Sequence, residues 1–456
     1  MAVINIEKLS ETMNNHRLDA EFYQPQYFID FSKGRWEPIK KFLDICQYGI
    51  SQAMIEEPRG YPIFRMDDIK DCFLLDDEVK YVEISKQTFR QFKLEVNDVL
   101  FNRVNAEEFV GRTGIFKLKG NYVFASYLIR LRVKPNSEIL PDYLNIFLNT
   151  KYGKKQIRKF ARRAVNQANV NAEELKNFKI YVLPRKFQEE ISQLVDTAWA
   201  KIELSKSLYN QAENLLLEEL GLKDFKPKYE LSYTANLSQA FSAHRVDAEY
   251  FQPVYHKLIK YLKDNFEVKP LKTFILDFQK GIEVGSENYQ EEGKPFIRVS
   301  NLSIHGFVER DQKYIDDELY QKLRDTYEPK VGDFLLTKDA TPGIAYVVKE
   351  PIEGIIASGI LKLTIDENKI DKEYLALCIN SIIGKLQIER DGGGSVIIHW
   401  KPEQIKNLQI PVLPHKTQRK IAKLVQQSHE ARRKAKELLE KAKRKVEKAI
   451  ENGINK

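Results

Sequence analysis

The chain carries one unit twice, and this duplication limits the folds that it can adopt. Residues 9–27, LSETMNNHRLDAEFYQPQY, return 228 positions later as residues 237–255, LSQAFSAHRVDAEYFQPVY. Near the other end of the unit, NAEELKNFKIYVLP (171–184) resembles KPEQIKNLQIPVLP (401–414). A repeat of about 220 residues is far longer than a solenoid repeat. The sequence therefore predicts two similar domains in tandem.

A long stretch without internal glycine or proline follows each copy. The first runs from Pro184 to Gly221 and the second covers residues 413–453. Apolar or small residues recur in both at alternating three- and four-residue steps, which is typical of a coiled-coil seam. The positions are Ile191, Leu194, Ala198, Ile202, Ser205, Leu208, Ala212 and Leu215, and then Ile421, Leu424, Ser428, Ala431, Ala435, Leu438, Ala442 and Ala449. The first stretch is acidic and the second is basic, so we expect the two helices to pair.

The remaining pattern predicts an α+β fold for each copy. In the first copy, short β-rich runs alternate with turns, at residues 62–65, 79–84, 99–102, 114–118 and 128–133. A helix from about Pro141 to Arg163 and a strand at Phe178–Leu183 follow. We predict two tandem α/β domains, each followed by a long helix, with the helices in an antiparallel coiled coil and the whole shaped as a pseudo-twofold dumbbell. The expected boundaries are 1–183, 184–222 (helix), 223–236 (linker), 237–413 and 414–452 (helix).

Composition excludes several classes of protein. No apolar run approaches the ~20 residues that span a bilayer, and the N-terminus lacks the pattern of a signal peptide. Cys46, Cys72 and Cys378 are scattered, so neither a disulfide framework nor a zinc site is expected, and a cytoplasmic location fits. The formal net charge is +8. The C-terminal stretch from His415 contributes about +9, so the rest of the chain is close to neutral and nucleic acid would have to bind at local patches.

Catalytic signatures are missing from the sequence. It contains no GxxxxGK[ST] phosphate loop and no methyltransferase motif, and its histidines do not fall at metal-ligand spacing. We interpret Asp142 and Glu174 as a chance pair of carboxylates. The duplicated charged segment His16–Glu21 is interpreted as a structural contact between each domain's start and the helical arm or the neighbouring domain. No catalytic residue, cofactor or metal is expected.

Polar loops differ most between the two copies, which suits two recognition surfaces. Arginine and lysine can read guanine, and asparagine can read adenine. Basic residues between Lys151 and Arg163 offer a phosphate-contact face. The predicted DNA-binding residues are Arg65, Asp67, Asn102, Arg103, Asn105, Arg112, Lys155, Lys159, Arg163 and Asn166 in the first copy, and Arg298, Ser300, Asn301, Lys338, Asp339, Thr341, Gly393 and Ser395 in the second.

The chain as a whole resembles the specificity subunit of a type I restriction-modification system. The resemblance rests on the duplicated HR[LV]DAE[FY][FY]QPxY entry, the duplicated [FL][KQ]IxVLP exit, and the long helix after each. It implies two target recognition domains, each reading half of a bipartite double-stranded DNA sequence. It also implies an arm that docks two adenine methyltransferase subunits and can recruit restriction subunits, with no catalysis by the chain itself. We expect half-sites about one helical turn apart, roughly 10 bp centre to centre.

Three alternatives stay open on the sequence. The first is the specificity subunit of a type IIB or another methylase-associated defence system, which neighbouring genes would distinguish. The second is an enzyme with its own nuclease or methyltransferase activity. The third is a scaffold that binds only protein.

Overall fold

The chain divides into two compact units. The computed structural model describes residues 6, 12–13, 17–107, 109–164, 167–290, 292–392 and 399–453. The first unit comprises Met1–Ile202 together with Arg433–Lys456, and the second comprises Glu203–Arg432. Each unit therefore contains part of both long helices.

The first unit combines small sheets with helices. Its strands are β1 (Trp36–Pro38), β2 (Leu43–Tyr48), β3 (Tyr61–Phe64), β4 (Ile69–Lys70), β5 (Phe73–Leu74), β6 (Lys80–Val82), β7 (Val99–Asn102), β8 (Val104–Asn105), β9 (Thr113–Ile115), β10 (Val123–Phe124), β11 (Leu128–Val133), β12 (Arg162–Ala164), β13 (Gln167–Asn169) and β14 (Lys179–Tyr181). Its helices are α1 (Lys86–Phe92), α2 (Pro141–Asn149), α3 (Lys151–Phe160), α4 (Ala172–Lys176) and the first part of α5 (Arg185–Glu219). The largest sheet has the order β2-β11-β7-β9-β5-β4, and β12-β13-β8 form a separate sheet.

Strand β7 lies between two apolar cores, which cover both of its faces. Val99 and Phe101 belong to the larger apolar core, which also contains residues of the long helices. Leu100 points to the opposite side and joins a second core with Leu128 of β11. Alternate residues of a strand face opposite sides of its sheet, so an uninterrupted apolar run is what a strand between two cores requires. The strand ends at Asn102, where the polar loop begins.

The second unit repeats this arrangement. Its strands are β15 (Val268–Pro270), β16 (Ile275–Lys280), β17 (Lys294–Ile297), β18 (Leu302–Ser303), β19 (Gly306–Phe307), β20 (Lys313–Ile315), β21 (Phe334–Thr337), β22 (Ala345–Val347), β23 (Ile355–Ile356), β24 (Ile360–Ile365) and β25 (Gln409–Pro411). Its helices are α6 (Leu237–Ala243), α7 (Pro253–Asn265), α8 (Asp317–Tyr327), α9 (Lys372–Asn380), α10 (Ile382–Gly392), α11 (Pro402–Lys406) and the first part of α12 (His415–Asn452). The order β16-β24-β21-β22 matches β2-β11-β7-β9, so β21 is the counterpart of β7.

The single helix predicted from Pro141 to Arg163 is wrong, because Thr150 interrupts it. The backbone of Thr150 is extended, with φ −76° and ψ 169°. Its hydroxyl donates to the carbonyl oxygen of Phe147 at 2.6 Å and accepts from the amide of Gly153 at 3.4 Å. A threonine can thus end one helix and cap the next. Arg162 and Arg163, which were expected to be helical, belong to strand β12 instead.

The seam of the long helices differs from the predicted one at several positions. The buried residues of α5 include Val195, Tyr209 and Leu216, one position after the predicted Leu194, Leu208 and Leu215. In α12 the buried residues include Val425 and Leu439 in place of Leu424 and Leu438. The predicted leucines are partly buried at the edges of the seam. Neighbouring apolar residues at these positions made the sequence pattern ambiguous, and the buried set has the regular four-three spacing.

Within each unit, segments of the two long helices pack together. In the first unit, Ile191–Ile202 of α5 shares an apolar core with residues 435–449 of α12, and Lys445 forms an ion pair with Glu190. In the second unit, residues 209–220 share a core with Ile421 and Val425, and the hydroxyls of Ser205 and Ser428 are 3.0 Å apart. Early residues of one helix therefore meet late residues of the other, as antiparallel pairing requires. The detailed coiled-coil geometry stays a prediction.

A buried histidine predicts an acid-sensitive second unit. Burial, together with the charges of Lys349 and Arg432, lowers the pKa of His429 to about 3. The folded unit keeps this ring neutral, whereas the unfolded chain gains a proton below pH 6.5. We expect the free energy of unfolding to fall by about 2 kcal/mol between pH 7 and pH 5 from this group alone. Urea denaturation across this pH range would measure the change.

The matched variants are His429→Gln and His256→Gln. The first removes the buried group and should flatten the pH dependence, whereas His256 is exposed, so its replacement should leave the dependence in place. Equal pH dependence in the wild type and in His429→Gln would contradict the assignment.

Candidate nucleic-acid interface

Asn102 shapes the polar loop that follows β7. Its side chain is fully buried, and its amide nitrogen donates to the carbonyl oxygen of Phe109 at 3.2 Å. Its backbone carbonyl accepts from the amide of Gly111 at 2.7 Å. Gly111 has a φ of +85°, and a Cβ there would meet Ile157 at 2.4 Å. Asn102 therefore closes the loop from within and is not at its surface.

The loop presents guanidinium groups held against aromatic rings. Arg103 lies 4.9 Å from the ring centre of Tyr48, and Arg112 lies 4.1 Å from that of Phe109. Stacking of this kind fixes a planar guanidinium and leaves its edges as hydrogen-bond donors. Asn105 is half-buried, and its side-chain oxygen accepts from the amide of Ala106 at 2.8 Å. Its amide nitrogen is the donor that could reach a ligand.

A three-stranded sheet joins this loop to the segment after α3. Asn105 of β8 pairs with Ala168 of β13, and Ala168 pairs with Arg163 of β12. The guanidinium of Arg163 donates to Glu107 at 2.8 Å and to the hydroxyl of Tyr27 at 3.2 Å. The structure thus brings Asn105 and Arg163 together, although 58 positions separate them in the sequence. The predicted residue Asn166 lies outside the described residues.

Helix α3 carries the predicted phosphate-contact residues. Lys155 is half-buried, and the ammonium of Lys159 lies 4.6 Å from the ring centre of Phe22. The neighbouring Lys154 and Arg158 are exposed. The helix ends at Phe160, and Ala161 alone separates it from β12 of the sheet that carries Asn105.

Arg65 and Asp67 lie in a different place, at the short 3-10 turn after β3. The guanidinium of Arg65 donates to Asp68 at 3.2 Å and to the carbonyl oxygen of Glu78 at 2.9 Å. These contacts hold Arg65 along its own turn, whereas Asp67 is exposed. Of this pair, Asp67 is the side chain that the structure leaves at the surface.

The second unit has a comparable site after β21. The ammonium of Lys338 forms an ion pair with Asp339, and the other carboxylate oxygen of Asp339 lies 2.8 Å from Nδ1 of His399. Burial alone would raise the pKa of Asp339, but Lys338 and His399 outweigh it, and the pKa is lowered. Asp339 and His399 also form a β-bridge. Thr341 is exposed, and its carbonyl oxygen accepts from the hydroxyl of Thr337 at 2.7 Å.

Arg298, Ser300 and Asn301 form the turn after β17, which corresponds to the turn of Arg65. Arg298 forms an ion pair with Asp311 at 2.5 Å. Asn301 is buried, and its amide nitrogen donates to the carbonyl oxygen of Arg310 at 2.7 Å. Ser300 is exposed. Gly393 and Ser395 lie outside the described residues.

Both units therefore build their site from the same two segments. The segment after β7 or β21 lies against the segment that precedes α4 or α11, through β8–β13 pairing in the first unit and the Asp339–His399 bridge in the second. Sequence reasoning missed the side chains that support these segments, namely Tyr27, Tyr48, Glu107 and His399. Of these, Tyr27 had a sequence signal, because it ends the duplicated entry HR[LV]DAE[FY][FY]QPxY.

The carboxylates that resembled a catalytic pair are held in separate structural contacts. Asp142 forms a buried ion pair with Lys117 at 2.8 Å and accepts from the hydroxyl of Ser192 at 2.7 Å. Burial raises the pKa of Asp142. Glu174 accepts from Arg17 and Arg162. Within the described residues, no three histidine, cysteine or carboxylate side chains are grouped as metal ligands, and no helix is long and apolar enough to cross a membrane.

The family comparison covers most of the chain. The family model described as "Type I restriction modification DNA specificity domain" matches twice, at residues 35–214 and 263–444. The putative type I restriction enzyme MjaX specificity subunit of Methanocaldococcus jannaschii is 24% identical over 449 residues, which cover 93% of this chain and 96% of that protein. The type I restriction enzyme EcoKI specificity subunit of Escherichia coli is 26% identical over 225 residues, covering 48% of this chain and 46% of that protein.

A solved structure is also similar over nearly the full length. The S subunit of a type I restriction-modification system from M. genitalium aligns over 93% of this chain and 97% of its own, at 15% sequence identity and a TM-score of 0.39.

Proposed function

This chain belongs to the family of type I restriction-modification DNA specificity proteins, and we propose that each of its two units reads one half of a bipartite DNA target. DNA recognition is the role of the family, and specificity subunits carry no catalytic step of their own. The proposal assigns the reading of bases to the two equivalent sites after β7 and β21.

One observation carries the proposal: the two sites occupy the same place in a repeated fold but present different chemistry. The first offers Asn105 and the stacked guanidinium groups of Arg103 and Arg112. The second offers the lysine, carboxylate and histidine around Asp339. A scaffold that is repeated while its polar tips diverge suits an asymmetric target, because each tip can match different base edges.

The side chains divide by the contacts that they can make with DNA. Asn105, Arg103 and Asp339 are candidates for base edges, because neighbouring groups fix their orientation. Lys155 and the exposed Lys154 and Arg158 of α3 are candidates for phosphate contacts, which add affinity but carry no sequence information. The boundaries 1–183 and 237–413 are proposed for the two recognition domains.

The partners proposed for the chain are double-stranded DNA and, on the helical arm, two methyltransferase subunits. Helix α5 is acidic and helix α12 is basic, so the arm carries charges of both signs that partners can bind. Restriction subunits would join through this assembly. We propose further that the arm sets the distance between the two half-sites.

Methylation mapping tests the proposal directly. The chain would be expressed with the methyltransferase encoded beside it, and modified adenines in the host DNA would be mapped by single-molecule sequencing. We expect a bipartite motif with one modified adenine on each strand. Exchange of residues 1–183 for those of another family member should change one half-site only. An assembled complex that methylates no bipartite motif would refute the proposal.

The division between base and phosphate contacts predicts two different mutant behaviours. Asn105→Ala should cost about 1–3 kcal/mol at one base position and leave the other half-site unaffected. Lys155→Ala should weaken binding to all sequences alike and lower the slope of log affinity against log salt by about one. Fluorescence anisotropy over a salt series, with the cognate duplex and single-base variants, would separate the two. Equal loss on all duplexes in Asn105→Ala would remove that residue from base reading.

A further inference from the structure

The duplicated entry arginine holds the end of a helix in the first unit. The guanidinium of Arg17 is buried and binds both carboxylate oxygens of Asp19 at 2.6 Å. Its remaining nitrogen donates to the carbonyl oxygen of Phe160, in the last turn of α3, at 3.3 Å. The same nitrogen lies 3.2 Å from Glu174. A cation at the C-terminal carbonyls of a helix is favourable, because those groups lack partners within the helix.

Glu174 connects the two ends of the segment that α3 leads into. It accepts from Arg162 at 3.0 Å, at the start of this segment, and from the amide of Asn171 at 3.4 Å, at its end. Asn171 in turn caps α4 by accepting from the amide of Glu174 at 2.8 Å. Arg17 and Glu174 therefore hold residues 161–171 at both ends, and this segment contains Arg163 and the strand that pairs with Asn105.

The second unit repeats this arrangement with its own residues. Arg245 binds Asp247 at 2.7 Å and donates to the carbonyl oxygen of Asp391, in the last turn of α10, at 2.9 Å. Gln404 is the counterpart of Glu174, and its side-chain amide nitrogen donates to the same carbonyl oxygen at 3.2 Å. The side-chain oxygen of Gln404 accepts from the backbone amide of Lys401 at 2.9 Å, at the start of α11. We call each arrangement an entry clamp: Arg17, Asp19 and Glu174 in the first unit, and Arg245, Asp247 and Gln404 in the second.

An aromatic ring between two cations also recurs. The ring centre of Phe22 lies 4.9 Å from the guanidinium carbon of Arg17 and 4.6 Å from the ammonium nitrogen of Lys159. Its counterpart Tyr250 lies 4.7 Å from Arg245 and 5.4 Å from Arg390. Several independent contacts of the entry clamp are thus repeated in both units, although the segments beside the two clamps have different sequences. The sequence interpretation placed this entry against the helical arm or the neighbouring domain, whereas Arg17 and Arg245 contact the end of α3 or α10 in their own unit.

We infer that Arg17 and Arg245 are positioning residues for DNA specificity. Arg17 fixes the segment that carries β12 and β13 beside Asn105, and Arg245 fixes the end of α10 against α11, which begins just after His399 of the second site. The inference rests on the proposed function. Direct reading of a base edge requires donors placed to within about 0.5 Å. A segment of about ten residues that is tied only by its own chain would not hold such a position. The entry clamp supplies this positional constraint without touching DNA.

The test uses the full chain assembled with its methyltransferase. We expect Arg17→Ala to lower discrimination between the cognate first half-site and its single-base variants by about tenfold, while discrimination at the second half-site is unchanged. Arg245→Ala should give the reverse. A mere loss of stability would lower the active fraction on every duplex and leave both ratios as they were. The control is Arg35→Ala, which removes an exposed arginine that pairs with the side chains of Glu37 and Glu138 and for which no bond to a helix carbonyl is found among the described residues.

Further variants keep the test decisive if Arg17→Ala does not fold. Arg17→Lys keeps the charge but loses the two-pronged pairing with Asp19 and should show the same half-site effect. Glu174→Gln should retain more discrimination than Glu174→Ala, because the second unit already uses glutamine there. Unchanged ratios in Arg17→Lys and Glu174→Ala, on a wild type that reads both half-sites, would overturn the inference and leave the proposed function standing. A wild type that reads no bipartite target would overturn both.

Discussion

Inserting one heptad into each long helix is expected to lengthen the DNA spacer by about 3 bp. Seven helical residues rise about 10.5 Å, and each base pair of B-DNA rises about 3.4 Å. The insertions belong after Ile202 in α5 and after Arg432 in α12, because the two units divide at these positions. Each unit then keeps its own residues together. A heptad that continues the four-three spacing of buried residues preserves the seam.

The insertion should also reduce affinity, since 3 bp turn the second half-site by about 100° around the DNA axis. Methylation mapping of the double-insertion variant would give the new spacer. Insertion into α5 alone is the control: it makes the paired segments unequal in length and should abolish activity on any spacer. If the double variant methylates the original target with its original spacing, the arm does not measure the distance.

The duplication allowed much of the fold to be predicted from sequence. Strands β7 and β11 were predicted at their observed bounds. The apolar run Val99–Phe101 of β7 is typical of a strand buried on both faces, and Leu128–Val133 is rich in β-branched and other apolar residues. The two tandem α+β domains are confirmed by the double match of the family model. The break at Thr150 was missed because a threonine within an apolar helix pattern gives no reliable sign of whether its hydroxyl will cap a new helix.

The candidate site was harder to predict, because its geometry depends on contacts between distant parts of the chain. Arg17 meets Phe160 and Glu174 across more than 140 positions, and a single sequence contains no signal for such a pair. Asn102 was selected as a polar residue at a strand end, yet its carboxamide faces inward and organises the loop. Residue type indicated which segments matter, whereas the direction of each side chain depended on packing.

Replacing Asp98 by alanine is expected to destabilise the first unit by about 3–5 kcal/mol. The carboxylate is buried and binds the guanidinium of Arg132 through two hydrogen bonds of 2.7 Å. It also lies 3.9 Å from Arg130, whose side chain is 3% exposed. Burial already lowers the pKa of Arg130 despite the attraction of Asp98. Removal of the carboxylate would leave a buried cation without its counter-charge, which costs more than the lost hydrogen bonds alone.

The second unit offers a matched control for this prediction. Asp333, the counterpart of Asp98, accepts from the amide of Lys330 at 2.8 Å, as Asp98 accepts from Glu95. The strand beside β21 carries Lys362 where the first unit has Arg130. Lys362 is half-buried, so Asp333→Ala should cost only about 1 kcal/mol. Hydrogen exchange measured on peptides of each unit would show faster exchange of the first unit in Asp98→Ala, with recognition of the first half-site lost first. Equal exchange in both variants would mean that Arg130 finds other compensation.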